Sequence, residues 1–365
     1  MQHEWIKNVA HMSPDYTIIQ FGDNFNQKIE PNTLPINLII LTFGFFFNQK
    51  IEQNILPKNL TTLIFGSYFN HKIIPNTLPK KLTTLTFGTC FNEKIELNTL
   101  PKNLTTLTFG DYFSQKIEPN ILPVNLTSLI LGDEFNQILE PNTLPVELTF
   151  LTFGYRFNQK IEPYTLPVKL SSLTFGHSFN QKIEVNALPE NLIILTFGNC
   201  FNQKIGPNTL PENLTTITFG WEFNQKIEPN ILPVKLISIT FGYRFNQKID
   251  SEILPSNLIN IKFNWINIKF NLLNIYVNKS INMHHIKMIN NIPSYYHVKI
   301  FLNRNKFDVE GPKWSIHVID YKGSEWSSDI YEIQDKYIHP IYDSITVLVN
   351  KKLYQPYSFA KSARK

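Results

Sequence analysis

Cysteine is nearly missing from this chain. Its 365 residues include two, Cys90 and Cys200, too few for the disulfide framework of a small secreted scaffold. Both fall in the same position of a sequence repeat, five repeats apart. With stacked strands ~4.8 Å apart they stand roughly 24 Å from each other, beyond disulfide reach. Reduced thiols and a cytoplasmic location are the expectation. Long apolar runs are missing too: none reaches the ~20 residues that a membrane-spanning helix needs. The first 15 residues, interrupted by Glu4 and Lys7, lack the apolar stretch of a signal peptide, so no membrane partner is expected. Charge bias is weak. The net charge is +5, and the excess is scattered beyond Ser256, which excludes nucleic acid as the default partner.

Motifs that carry chemistry are absent as well. The sequence has no glycine-rich phosphate loop and no nucleophile elbow. Its densest histidine cluster, His284, His285 and His297, has neither cysteine nor acid at metal-ligand spacing. His177 stands alone in its slot and reads as incidental. No enzyme activity, metal or cofactor is expected. Even glycine is scarce outside one place: of 14 glycines, eleven recur at a single position, Gly22 through Gly242. Eleven prolines, Pro35 through Pro255, likewise follow a leucine at a fixed position. These residues punctuate a repeat and do not mark linkers between domains.

The repeat is what the chain does have. Eleven copies of L-x-x-L-T-F-G-x-x-F-N-Q-K-I-E-P-N-x-L-P-x-x run without insertion, with Phe-Asn anchors every 22 residues from Phe25 to Phe245. A fixed period of this length signals a stacked array. In the second copy, Leu41-Thr42-Phe43 alternates like a short half-buried strand. Gly44 follows, where the chain leaving the strand calls for a conformation reserved for glycine. Leu56-Pro57 closes the coil, since proline cannot continue a ladder. Six side chains turn inward: Leu38, Leu41, Phe43, Phe47, Ile51 and Leu56. One such coil leaves its strand edges and apolar faces open, so stability is collective.

Polar positions repeat in the same way. Asn follows the anchor Phe in every copy except at Ser114, and an amide there suits a hydrogen-bonded ladder between coils. Lys recurs from Lys28 to Lys248 with Ile138 as the exception, commonly with an acid two residues on, as in Lys28/Glu30. Residues i and i+2 of an extended segment share a face, which predicts a solvated ladder of alternating charge. The Asn-Leu-Thr sequons at Asn59, Asn103, Asn125 and Asn213 are by-products of the repeat.

Phe-Asn-Gln-x-Ile followed by Leu-Pro-x-x-Leu-x-x-Leu-x-Phe-Gly closely resembles the FNIP repeat. That repeat is a relative of leucine-rich repeats, known chiefly from social amoebae and amoeba-infecting giant viruses. The resemblance covers residues 16 to about 263. It implies a β-rich, leucine-rich-repeat-like solenoid of 22-residue coils stacked on a parallel sheet, used for protein binding and carrying no catalytic residues. Some members place an F-box before the repeats. The 15 residues ahead of the first unit are too few for one, which leaves a ubiquitin-ligase substrate adaptor as the alternative to a plain protein-interaction scaffold. An enzyme with its site in the tail is a third, less favoured reading.

Function in such an array belongs where copies differ, and the two residues between Gly and Phe differ most. They include Phe45, Phe46, Tyr68, Tyr112, Tyr155, Arg156, Trp221, Tyr243 and Arg244, residue types that dominate binding hot spots. They are the candidate contact residues for a protein partner, against the alternative of drift at a tolerant turn. The organisation expected is an N-terminal cap at 1–15, eleven units at 16–257, and a decaying repeat at 258–365 that forms a cap or a small domain. Within that tail, Ile259–Asn264, Ile266–Asn271, Leu273–Asn278, Tyr296–Leu302, Trp314–Asp320 and Ile341–Val349 read as strands.

Overall fold

A computed structural model describes residues 15–245, residues 13, 247, 249 and 253–258, the strand at 260–263, and the backbone of six later strands. Apart from residues 13 and 15, the proposed cap at 1–15 lies outside the described residues, as does the hexad at 266–271. The chain divides into two compact units, Met1–Leu214 and Thr215–Lys365.

The fold is a parallel β-solenoid of 22-residue coils, with no helix among the described residues. In the first unit, nine three-residue strands run from β1 (Ile18–Gln20) and β2 (Ile40–Thr42) to β9 (Ile194–Thr196). Each pairs parallel with the next, partners 22 residues apart, as in Leu41↔Leu63. The second unit continues the pattern with β10 (Thr216–Thr218), β11 (Ser238–Phe241) and β12 (Asn260–Phe263). Ile239 faces Ile261 and Phe241 faces Phe263 in register, so the decaying twelfth copy still makes its strand. Beyond it the backbone forms β13 (Leu272–Val277), β14 (His285–Ile289), β15 (Tyr296–Leu302), β16 (Ser315–Ile319), β17 (Glu325–Asp329) and β18 (Asp343–Val349). β12, β14 and β16 pair parallel and β17 antiparallel, whereas β13, β15 and β18 form a second sheet. β15 spans the residues that its alternation predicts. β17 was not legible, because EWSSD carries no clean period of two; β14 was not predicted, although His285-Ile286-Lys287-Met288 alternates polar and apolar.

Each coil turns three corners. At the first, the anchor Phe N–H donates to the Gly carbonyl three residues back, as Phe47 does to Gly44 at 3.1 Å. At the second, Glu-Pro-Asn-Thr folds back so that Thr99 N–H reaches the Glu96 carbonyl at 3.1 Å in the Leu97 variant of that turn. The third residue of this corner has positive φ in ten coils: nine are Asn, from Asn32 to Asn230, and one is Tyr164 at φ 64°. Positive φ after a proline, which seven of these ten turns have, is the signature of a type II turn, and Asn is the non-glycine residue that tolerates it best. At the third corner, Pro57 starts a turn and its carbonyl accepts from Leu60 N–H at 3.1 Å. Proline therefore shapes a corner as well as ending the ladder.

The glycine column has a different cause from the expected one. Neither Gly22, Gly242 nor any column glycine from Gly44 to Gly198 has the left-handed backbone that only glycine favours. Instead, a Cβ on Gly110 would run into the carbonyl of Gly88 one coil earlier, and the same clash recurs at each column glycine from Gly44 to Gly198 and at Gly242. The side chain is excluded by the closeness of the next coil's backbone, not by a dihedral angle.

All six predicted inward side chains of the second coil are buried, with Leu38, Leu41 and Phe47 fully so. Within a coil the two Phe rings stack at about 3.8 Å, as Phe43 does on Phe47, and each ring continues to its counterpart in the next coil at about 6 Å. A seventh position, two before the Leu-Pro proline, is buried as well. It holds Ile55 in one coil but Thr77, Thr99 and Thr143 in others, whose hydroxyls lack a hydrogen-bond partner.

Polar ladders stitch the coils together. Asn26 Oδ1 accepts from Asn48 N–H at 2.8 Å, and the rung repeats through Asn48, Asn70 and Asn92 to Ser114. Threonine hydroxyls form another: Thr83 donates to the Thr61 carbonyl and Thr105 to that of Thr83, each at 3.1 Å. The sequon amides are engaged too, with Asn103 and Asn125 Nδ2 donating to the Lys80 and Lys102 carbonyls. Lys–Glu pairs occur within coils and between them: Lys116 meets Glu140 at 2.8 Å and Glu118 at 3.2 Å. Those two carboxylates, Glu140 foremost, hold the exposed Lys116 ammonium above its usual range.

Candidate functional site

The first corner presents its two variable residues outward by construction. The Gly carbonyl is tied to the anchor Phe N–H, and the second variable N–H donates to the first variable residue of the preceding coil. Phe46 N–H reaches the Asp23 carbonyl at 2.9 Å, and Tyr68 N–H that of Phe45 at 3.1 Å. With these two donors held by backbone carbonyls, the side chains are free to vary. Phe45, Phe46, Tyr68, Tyr112, Tyr155 and Trp221 are each about half exposed. Arg156 and Arg244 are exposed, and Tyr243 is intermediate.

The structure groups these residues into local clusters, each built from neighbouring coils. Phe45, Phe46 and Tyr68 meet edge-on or tilted with centroids 5.0–5.3 Å apart. Beside them lies a depression of about 240 Å³ bounded by Gln20, Asp23, Gly44, Phe45 and Ser67. Farther along the first unit, Tyr155 stacks on His177 at 4.3 Å, and Arg156 pairs with Glu134 at 3.0 Å. In the second unit Trp221 stacks on Tyr243 at 4.1 Å, and Arg244 pairs with Glu222 at 2.8 Å. Exposed pairs of this kind add little stability, but they orient the arginine that follows each stacked tyrosine in the chain. Tyr112 stands exposed at the same corner, its N–H donating to the Thr89 carbonyl at 2.9 Å. Asp133 Oδ1 accepts from Tyr155 N–H at 3.0 Å, fixing the start of that cluster.

Two features escaped the sequence reading. His177 is not isolated: besides stacking on Tyr155, its Nδ1 lies 3.6 Å from Cys200 Sγ. The clustering itself follows a separation of 22 or 23 residues, so aligning the copies and reading adjacent rows would have found it. Among the described residues no group of three or more His, Cys, Asp or Glu side chains could hold a metal ion. No described helix is long and apolar enough to cross a membrane.

Comparison with known proteins agrees with the geometry. The FNIP Repeat family model matches seven segments that together span residues 15–244. The crystal structure of CroV588, described as a novel circular leucine-rich-repeat protein structure, is similar at a TM-score of 0.71 and 42% identity. The match covers 85% of this chain and 46% of that one, so this chain spans under half the length of that giant-virus protein. The pneumococcal vaccine antigen PcpA, at 14% identity, covers 68% of this chain and 62% of its own with a TM-score of 0.22, too low to bear on the fold. No curated protein matches. Solenoids of the leucine-rich-repeat type are commonly protein-binding and typically non-catalytic. With its repeats matched over most of its length and its coils closed by the same Phe, Gly and Leu-Pro positions, this chain belongs to the FNIP repeat family.

Proposed function

We propose that the protein is a non-enzymatic, cytoplasmic interaction scaffold that binds a protein partner through its first-corner residues. The observation that carries this reading is the company the exposed rings keep. Packing within the coil does not call for aromatics outside the core, yet Phe45, Phe46 and Tyr68 cluster in the open. Trp221 and Tyr243 stack beside an oriented arginine in the same way. Aromatic and arginine anchors of this kind supply most of the binding free energy in protein interfaces. Free thiols at Cys90 and Cys200 fit a reducing compartment.

The test is affinity capture from cytosol with the wild-type chain and with Trp221→Ser/Tyr243→Ser/Arg244→Ser. These side chains lie outside the core, so the variant should keep its melting temperature and lose the principal partner. Undiminished capture by a folded triple variant overturns the assignment for that corner. A parallel triple at Phe45, Phe46 and Tyr68 examines the first unit by itself.

A further inference from the structure

The two cysteines form a natural experiment. Both occupy the second variable position of the first corner, and both are partly exposed. Cys90 N–H donates to the Ser67 carbonyl at 2.8 Å, and Cys200 N–H to the His177 carbonyl at 2.8 Å. The scaffold around each thiol is therefore the same. Among the side chains that differ is that of the first variable residue one coil earlier: Ser67 for Cys90, His177 for Cys200.

His177 is placed to take a proton. Its Nδ1 lies 3.6 Å from Cys200 Sγ, within hydrogen-bonding reach for sulfur. Tyr155 stacks on the imidazole at 4.3 Å with planes 9° apart and holds the ring against rotation. When Nε2 carries the ring hydrogen, the Nδ1 lone pair faces the thiol. A nucleophile, a base within reach and a third group that orients the base are the parts of an activated thiol. Ser67 offers Cys90 no comparable base, since a protonated hydroxyl is a strong acid and so the hydroxyl takes no proton from a thiol at neutral pH.

We propose that Cys200 is a thiol–disulfide exchange site, modified by small disulfide-bearing thiol compounds with His177 as its proton acceptor. The thiol proton passes from Sγ to Nδ1, and the thiolate attacks one sulfur of the incoming disulfide. A new sulfur–sulfur bond forms at Cys200 as the old one breaks, and the departing thiolate recovers the proton from Nδ1. Electrons balance because the incoming disulfide is the oxidant: its departing half leaves as a thiol, while Cys200 becomes half of a mixed disulfide. The adduct would sit on the same edge as Tyr155 and Arg156, but the chemistry does not depend on that edge binding a partner.

The experiment exposes the full-length protein to oxidised glutathione at neutral pH, quenches with acid at intervals and reads each cysteine's adduct by mass spectrometry. Cys200 should react at least about tenfold faster than Cys90, a modest gain for a positioned base. His177→Ser gives Cys200 the neighbour that Cys90 has and should slow it to the rate of Cys90. Accessibility predicts the opposite sign, because removing the imidazole uncovers the sulfur. The reciprocal Ser67→His should accelerate Cys90, and it stands even where the first variant folds poorly. Equal initial rates in the wild type, or a Cys200 rate that His177→Ser leaves unchanged or raises, overturns the proposal.

Discussion

Phe47 is fully buried, while Phe45 and Phe46, its immediate neighbours, are each about half exposed. Three phenylalanines in a row thus belong to two regions under different rules. The inward column repeats almost without change because each ring packs on its own kind from the coils on either side, so one wrong volume is felt twice. The outward pair faces its neighbouring coils through backbone hydrogen bonds that any residue can make. Uniformity follows contact between coils, and variety follows its absence.

The contrast is broken most directly from the inside. Phe135 lies fully buried between Phe113 and Phe157, centroids 6.2 and 6.3 Å away. Phe135→Ala should cost about 3–5 kcal/mol in denaturant unfolding. Hydrogen exchange should rise in the flanking coils too, and a change confined to residues 126–147 would show weak coupling between neighbours. Next in size is Gly110→Ala, where a methyl meets the Gly88 backbone. Overpacking against atoms that cannot yield should cost about 3 kcal/mol, and a loss well below 1 kcal/mol would mean that the neighbouring coil shifts to admit the methyl.

Other changes should stabilise. Thr99→Val removes a buried hydroxyl that has no partner and keeps its shape, which should add about 1–2 kcal/mol. A loss instead would mean that the hydroxyl holds a buried water. Ser114 accepts no amide ladder onward, since it presents a hydroxyl where Asn92 and Asn136 present Oδ1. Ser114→Asn should therefore add about 0.5–1.5 kcal/mol by completing the rung to Asn136. A neutral thermal melt would mean that solvent already satisfies Asn136 N–H. Smallest of all, Tyr112→Ser on the outer edge should shift stability by less than about 0.5 kcal/mol. A larger shift would erase the distinction between the two regions.

How much of this was legible depends on what repetition averages out. Eleven copies expose the period, so Leu41, Phe47 and Ile51 could be assigned inward and the Asn rungs expected between coils. The reason for Gly44 was misread because a sequence cannot separate a dihedral requirement from a close approach: both exclude Cβ. The left-handed Asn32 is hidden by a second, more regular Asn in each copy, although Glu30-Pro31-Asn32-Thr33 spells a type II turn. The buried slot of Thr99 was hidden by its hydroxyl, with Ile55 and Ile121 as the overlooked clue. At the candidate site the residues were legible but their grouping was not. Tyr155, His177 and Cys200 come together only once each row of the repeat is laid against the next.

The glycine column also constrains how such a gene can change length. Because each column glycine from Gly44 to Gly198 sits against the backbone of its predecessor one full turn back, a single inserted codon would set a side chain against that contact at the junction it enters. Gain or loss of a whole coil restores the match at once. Lineages of this protein should therefore differ by complete repeats, through unequal recombination between near-identical copies, and small insertions should survive only at the ends of the array.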